Sequence, residues 1–432
     1  MNQPLDVYGQ QSGLNKLYTQ ICLCFPLLSH QREIALHILQ TGLQRLTSSV
    51  PWLAGEVVRD QDEGLYTIRS REKEPTVVSK YDDESLPSMA QLRQEGFSAR
   101  LLDENVIAPC RTIRAQPEQP APVFLVQANF VDDGLLLVLC GLHSCMDMTG
   151  QGYITTLLAK ACRGGDFCEE EIHATNFRGC ETVPLLSHEE LSVHHESFPV
   201  AHEAHQASRD DTPDASAIWA YAIFSDSSLA KLKSEAIQTS TKRFISTDDC
   251  LSALLWQSIT RVRSARFRST DIETAFTRTV DARAAAGMPL TYTGNAAVKT
   301  ACKMTVQELL DAPLGLVAGQ LRGGLKDTGS QLRLEATLLS KGKRPNKPSV
   351  DPSTGVNLSS WAKDRSYELD FGPALGRPEA VRRPTFAAWE SLVYLMPKKP
   401  DGEIAVALCL RNEDLRRLKE DVEFAKYAEI VG

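Results

Sequence analysis

Residues 135–142 read Leu-Leu-Leu-Val-Leu-Cys-Gly-Leu, an uncharged run that ends on His143. A second strand candidate, 123–130, precedes it across Val131-Asp132-Asp133-Gly134. Both residues of an Asp-Gly pair tolerate the positive φ that a tight turn demands. The pattern therefore predicts a β-hairpin whose second strand delivers His143 at its end. A helix should start near Asp147, run through Leu157, Leu158 and Ala161, and stop at Gly164-Gly165.

Strands and helices intersperse along the rest of the chain. Residues 18–28 are strand-like, and Ala35, Leu39, Leu43 and Leu46 then recur at helical spacing until Pro51. Further on, 217–224, 276–280, 296–302 and 404–410 read as strands, and 227–237 as a short helix. Ser246-Thr247-Asp248-Asp249 is a helix start, a hydroxyl cap followed by carboxylates facing the positive helix end. Leu251, Leu254, Leu255 and Ile259 then line one face. Asn412 is expected to cap a last helix carrying Leu415, Leu418 and Val422. This pattern specifies a mixed α/β fold. The chain has 432 residues. A single core stops growing near ~250–300 residues, so two domains are expected. The polar stretch 189–215, with His194, His195, His202 and His205, is the linker candidate. No acidic or thiol partner completes a metal-ligand spacing around these histidines.

Composition narrows the function classes. A net charge of −8 and a pI near 5.7 argue against broad nucleic-acid binding. No stretch approaches the ~18 apolar residues of a membrane span. Residues 1–20 lack the apolar core of a signal peptide, and Ile430-Val431-Gly432 carries no lipidation signal. Eleven cysteines without a Cys-x-x-Cys pair fit reduced, mostly buried thiols in a cytosolic protein. Cys22 and Cys24 fall within a strand.

The segment Gly141-Leu142-His143-Ser144-Cys145-Met146-Asp147-Met148-Thr149-Gly150 is the sharpest local feature. A histidine at a strand-to-helix junction is a candidate general base, because its ordinary pKa lies near neutrality. Other readings stay open on these residues alone. His143 can be a satisfied core histidine, Asp147 only a helix cap, or the pair two metal ligands lacking a third. Cys145 is excluded as a nucleophile served by His143, since residues two apart on a strand-to-turn path do not face each other. A distant segment runs Leu358-Ser359-Ser360-Trp361, then Tyr367-Glu368-Leu369-Asp370-Phe371-Gly372 and Gly376-Arg377-Pro378. By itself it reads as a glycine-rich turn and a core tryptophan.

Together these segments resemble the BAHD acyltransferases, coenzyme A-dependent enzymes of plant and fungal specialised metabolism. The similarity is greatest to the fungal branch resembling trichothecene 3-O-acetyltransferase. His143 and Asp147 resemble the family's His-x-x-x-Asp motif, and Asp370-Phe371-Gly372 the start of Asp-Phe-Gly-Trp-Gly. Val280-Asp281-Ala282-Arg283 with Gly294-Asn295, Ser246-Thr247-Asp248, and Glu423-Phe424-Ala425-Lys426-Tyr427 resemble further family segments, in order along nearly the whole chain. Two departures stand out. Met148 occupies a position where the family often has glycine, and Pro373-Ala374-Leu375 replaces the family tryptophan with a longer loop.

The resemblance implies two similar-sized domains of mixed β-sheet with flanking helices, as in chloramphenicol acetyltransferase, and an active-site channel between them. The expected division is 1–190, a crossover at 191–215, and 216–432. It implies direct transfer of an acyl group, acetyl by expectation, from acyl-CoA to a hydroxyl of a small specialised metabolite. His143 would be the base, with Ser359 and Trp361 supporting the oxyanion. Asp147 would pair with Arg283 to brace the motif, and Asp370 and Gly372 would support the site structurally. No permanently bound cofactor and no metal are implied; acetyl-CoA is a co-substrate. Lys242, Arg243, Ser246 and the basic loop 341–347 are candidates for the coenzyme A phosphates. A cytoplasmic monomer without nucleic-acid or membrane partners is expected. Two other readings remain on the same scaffold. One is condensation-type or N-acyl transfer, although Leu142 stands where a second histidine is usual. The other is a non-catalytic small-molecule-binding protein.

Overall fold

The apolar runs become two sheets, and four short strands, Asn2–Pro4, Glu56–Arg59, Tyr66–Arg69 and Ala121–Pro122, form a third. The computed structural model describes residues 2–60, 64–81, 83, 85–176, 182–194 and 217–432. Strands β1 (Tyr18–Pro26), β2 (Val78–Tyr81), β3 (Phe124–Val131) and β4 (Gly134–Leu142) belong to the first sheet. Strands β5 (Ala217–Phe224), β6 (Glu273–Asp281), β7 (Ala297–Thr305) and β8 (Val356–Ser360) belong to the second. The chain then returns to the first sheet as β9 (Ala380–Arg382). It completes the second with β10 (Leu392–Leu395), β11 (Ile404–Arg411) and β12 (Glu429–Val431). The first sheet has the order β9-β1-β4-β3-β2, and the second β7-β6-β8-β10-β11-β5-β12. Both mix parallel and antiparallel neighbours.

β4 is the middle strand of the first sheet, and every one of its residues is buried. That explains its unbroken apolar run: both faces are covered, so neither needs polar residues. Helices α1 (Arg32–Ser49) and α2 (Met148–Cys162) pack against the first sheet. On the opposite face Gln127 and Asn129 donate to the Ile107 carbonyl. A Leu→Ala change in β4 would cost about 2–5 kcal/mol through the cavity left behind. Helices α3 (Asp226–Thr239), α4 (Thr247–Arg263) and α5 (Leu314–Gly323) build the second core on the seven-stranded sheet. Helix α6 (Thr328–Ser340) packs with Val7 and Tyr8 from the start of the chain.

The two cores do not follow chain order throughout. Tyr367, Phe371, Leu375, Ala380 and Val381 are buried in the first core, and β9 pairs with β1. The polar stretch after residue 188 begins as a helix, His188–His194. Glu190 in that helix is ion-paired with Arg333 at 2.8 Å. His195, His202 and His205 lie outside the described residues.

Two local expectations need correction. The hairpin turn places Asp133, not Gly134, at positive φ (54°), while Gly134 pairs with Val131 as the first residue of β4. Gly134 answers a packing demand instead: a Cβ there would meet Met89 Cγ at 2.0 Å. Near the end, helix α7 (Asn412–Glu420) includes Asn412 as its first residue, with Arg411 in the cap position. Val422 lies beyond it, 73 % exposed, in a separate helical turn capped by Asp421. Asp421 stops the longer helix because its carboxylate accepts the next amides, those of Glu423 and Phe424.

Candidate active site

β4 ends at Leu142, and the chain turns tightly before α2. The amides of Cys145 and Met146 both return to the Leu142 carbonyl. This turn swings the His143 ring off the sheet, where it remains half-buried, while Cys145 is fully buried. His143 Nδ1 lies 3.2 Å from the Met146 carbonyl oxygen. A carbonyl can only accept, so the proton sits on Nδ1 and Nε2 keeps its lone pair. Burial lowers the imidazole pKa below its ordinary value, and the charge of Lys347 adds to this. Asp147 and the backbone contacts pull the other way.

Asp147 is the N-cap of α2 and faces away from the imidazole. Its Oδ1 accepts from the Gly150 amide at 2.9 Å and from Arg283 Nη2 at 2.8 Å. Its Oδ2 accepts from the Ala296 amide at 3.0 Å. Arg283 is fully buried and also donates to the carbonyls of Tyr292 (3.0 Å) and Gly294 (2.7 Å) and to Asp281 (2.9 Å). Burial pushes this guanidinium's pKa down, but Asp147 and Asp281 outweigh it and hold it up. The second sheet is thereby clamped to the helix that follows His143. Gly150 lets the loop lie close, since a Cβ there would come within 2.0 Å of the Thr293 carbonyl.

Asn295 is a member of this site that sequence reasoning left without a role. Its Nδ2 donates to the His143 carbonyl at 2.9 Å. The Gly294-Asn295 pair was visible in the sequence, but its acceptor lies 152 positions away. Asp6 was missed altogether. It is buried and accepts from both the Gly9 amide and the Tyr292 hydroxyl. The start of the chain is thus fastened to the loop that holds Arg283.

Ser359 and Trp361 sit at the C-terminal end of β8, which runs parallel to β6. Trp361 Nε1 donates to Ser359 Oγ at 3.2 Å, and Met148 packs against the apolar cluster that contains Trp361. Ser360, between them, points to the other face of the sheet and donates to Asp248 at 2.6 Å. β4, β6 and β8 therefore bring their carboxyl ends together at the start of α2.

The remaining expected residues lie elsewhere. Lys242 and Arg243 are exposed, just before α4. Ser246 caps that helix, and its amide and hydroxyl both donate to Asp249 at 2.8 Å. In the basic loop, Lys347 donates to Gln11 at 2.9 Å and lies 3.7 Å from Glu335. Asp370 and Gly372 are at the opposite end of α2, where Arg163 donates to the Asp370 carbonyl. Asp370 accepts from the Gly372 amide, and Gly372 has φ 101°. A helix of 15 residues is about 22 Å long, so this loop is remote from His143. Among the described residues no three His, Cys, Asp or Glu side chains group to hold a metal ion.

Similarity to known proteins covers the whole chain. The domain family described as "Trichothecene 3-O-acetyltransferase-like N-terminal domain" matches residues 17–162. An O-acetyltransferase from a Cryptosporiopsis species, dmxR13, is 42 % identical over 448 residues, spanning 99 % of this chain and 97 % of that one. Trichothecene 3-O-acetyltransferase TRI101 of Fusarium sporotrichioides is 41 % identical, with the same coverage of both. The crystal structure of F. graminearum TRI101 complexed with coenzyme A and T-2 mycotoxin superposes with a TM-score of 0.91 at 39 % identity, covering both chains fully.

Proposed function

Because the chain belongs to the family of trichothecene 3-O-acetyltransferases and related fungal O-acetyltransferases, we propose that it moves an acetyl group from acetyl-coenzyme A to a hydroxyl of a specialised-metabolite alcohol. His143 Nε2 takes the proton of the acceptor hydroxyl as its oxygen bonds to the thioester carbon. The carbon–sulfur bond then breaks, and the imidazolium returns that proton to the departing sulfur. Atoms and charges balance without an acyl-enzyme and without a resident cofactor.

The observation that carries this reading is the Nδ1–Met146 hydrogen bond. It fixes the tautomer that leaves Nε2 as a base, on a ring whose lowered pKa keeps it neutral at pH 7. Asp147 and Arg283 act by holding the turn in place. Charge building on the thioester oxygen is stabilised around Ser359 and Trp361; an oxyanion donor is typically worth about 3–4 kcal/mol. Lys242 and Arg243 supply positive charge for the coenzyme A phosphates. The donors of Ser246 are already engaged by Asp249, so its contribution is to shape the helix start. Free thiols from Cys22 to Cys409 suit a reducing cytoplasm, where we place the enzyme as a monomer.

The test is transfer itself. Purified enzyme is incubated with acetyl-CoA and deoxynivalenol, the ligand in one F. graminearum TRI101 structure. Thiol release and the acetylated product are followed together. Product formation supports the reading for that acceptor class. Thiol release with no acetylated alcohol, across a panel of metabolite alcohols, would overturn it.

A further inference from the structure

The second sheet ends at β12, and a cavity lies between that edge and the first core. Its volume is about 730 Å³, within the ~300–1,000 Å³ of small-molecule sites. Phe97, Glu379 and Arg382 line it from the side of the first core. Ile223 of β5, the turn 399–403 and Val431 of β12 line it from the second. Strand register sets this cavity apart from the catalytic histidine. Arg382 pairs with Cys22 on β1, and Cys22 pairs with Val138 on β4. His143 follows the end of that strand, so it lies about 15 Å along the strands and about 10 Å across them.

Arg382 gives the cavity its chemistry. The residue is 2 % exposed. Its guanidinium donates only to neutral groups: the Val381 carbonyl at 3.1 Å, the Gly96 carbonyl at 3.3 Å and the Tyr367 hydroxyl at 3.4 Å. Its Nε meets no acceptor among the described residues. The rings of Tyr221 and Phe97 lie 5.0 and 5.7 Å from its Cζ. Phe97 has a left-handed φ of 57°, which bulky residues rarely adopt. The other cations of the lining already have carboxylates. Arg93 pairs with Glu379 at 2.7 Å, Lys399 with Glu403 at 2.6 Å, and Arg100 with Glu95 at 2.5 Å. Glu429, the lining carboxylate left over, is exposed on the edge strand, and no ion pair joins it to Arg382. Arg382 is thus a buried charge without a negative partner among the described residues, beside a cavity with room for one. Burying a charge unpaired is expensive, so an anion entering the cavity gains what the chain leaves unmet.

We propose that this cavity is an accessory site for a small carboxylate with an apolar body. The carboxylate answers Arg382, whose flat guanidinium matches it, and the body lies against Phe97, Ile223 and Val431. These residues come from both sides, so the bound molecule fastens the two halves together. The site stands independently of the acetyl-transfer reading.

The probes are phenylbutyrate and phenylbutanol, alike in shape and unlike in charge, titrated calorimetrically into the purified protein. Wild type should bind one phenylbutyrate per chain, about tenfold or more tighter than the alcohol, the discrimination of a charged hydrogen bond. Saturating phenylbutyrate should also raise the melting temperature. Acetyl-CoA should not displace it, because His143 is remote. Arg382→Met should lose the preference for the acid and the shift in melting temperature. Val431→Trp fills the cavity, leaves Arg382 in place, and should abolish binding of both probes. If Arg382→Met fails to fold, Val431→Trp and the two probes carry the test. The site is overturned by no saturable binding of phenylbutyrate to wild type, by undiminished binding in either variant, or by displacement with acetyl-CoA. Equal binding of the alcohol, or tighter binding of inorganic phosphate than of phenylbutyrate, would overturn a carboxylate as the ligand. Each of these results leaves acetyl transfer standing.

Discussion

Helices α2 and α4 begin alike. Each opens with a buried carboxylate that caps the backbone and meets an arginine. At α2, Asp147 receives Arg283 from 136 positions away, across the interface between the two sheets. At α4, Asp249 receives Arg278 and Arg322 from its own half of the molecule, at 2.9 and 2.7 Å. Burial pushes the Asp249 pKa up, but the Ser246 amide and Arg278 hold it below the usual carboxylate range. The residue before each cap differs in consequence. Before α2 stands an imidazole with one free nitrogen; before α4 stand exposed cations. The same capping chemistry thus serves to lock a base in one place and to shape the approach to a basic patch in the other.

Substitution can separate the two starts. His143→Ala should lower transfer about 10²–10⁴-fold, as expected for loss of a general base, with little change in melting temperature. Asp147→Ala and Asp249→Ala each remove one of two carboxylates from a buried arginine, leaving Arg283 with Asp281 and Arg278 with Asp248, and should cost about 1.5–3 kcal/mol in denaturant unfolding. They should differ in kinetics: Asp147→Ala lowers kcat, because the turn carrying His143 loosens, whereas Asp249→Ala raises KM for acetyl-CoA. Equal kinetic signatures would collapse the distinction. Asn295→Ala leaves the His143 carbonyl unpaired, at a cost of about 1–3 kcal/mol, and should lower kcat more than it raises KM. Lys242→Ala with Arg243→Ala should have the smallest effect, a rise of about 2–5-fold in KM for acetyl-CoA that fades at high salt.

The pH profile sharpens the α2 side further. A lowered His143 pKa means the free base persists below its ordinary value of about 6.5. Activity should therefore hold as pH falls through 6.5 and decline only on a more acidic limb in kcat/KM. A midpoint above that value would contradict the burial assigned to the ring. Asp249 has the opposite charge logic. Its depressed pKa contributes stability that is present above about pH 4 and is lost as pH falls through the folded-state value.

What the sequence made legible follows from how local each signal is. The unbroken apolar run of β4, the Asp147 cap and the Ser246 start depend on neighbours a few residues away, so their patterns were plain. The Asp-Gly turn was read one residue late, because Gly134 answers to Met89 across the fold rather than to the turn. Val422 kept the helical spacing of Leu415 and Leu418 but fell past Asp421, whose carboxylate restarts the chain. The family resemblance brought His143, Asp147 and Arg283 together when spacing alone could not. Asn295 and Asp6 act through partners a long way off in sequence, the His143 carbonyl and the Tyr292 hydroxyl. No periodicity announces such contacts.

The central claim is that His143 presents an unprotonated Nε2 while Nδ1–H is held by the Met146 carbonyl. Selective ¹⁵N labelling of histidine, with His143 assigned by its loss in His143→Ala, reads this directly. At pH 7 the ring should show a protonated Nδ1 and a pyridine-like Nε2, and it should titrate below about 6.5. A proton resident on Nε2 at pH 7, or a ring already charged there, would contradict the account.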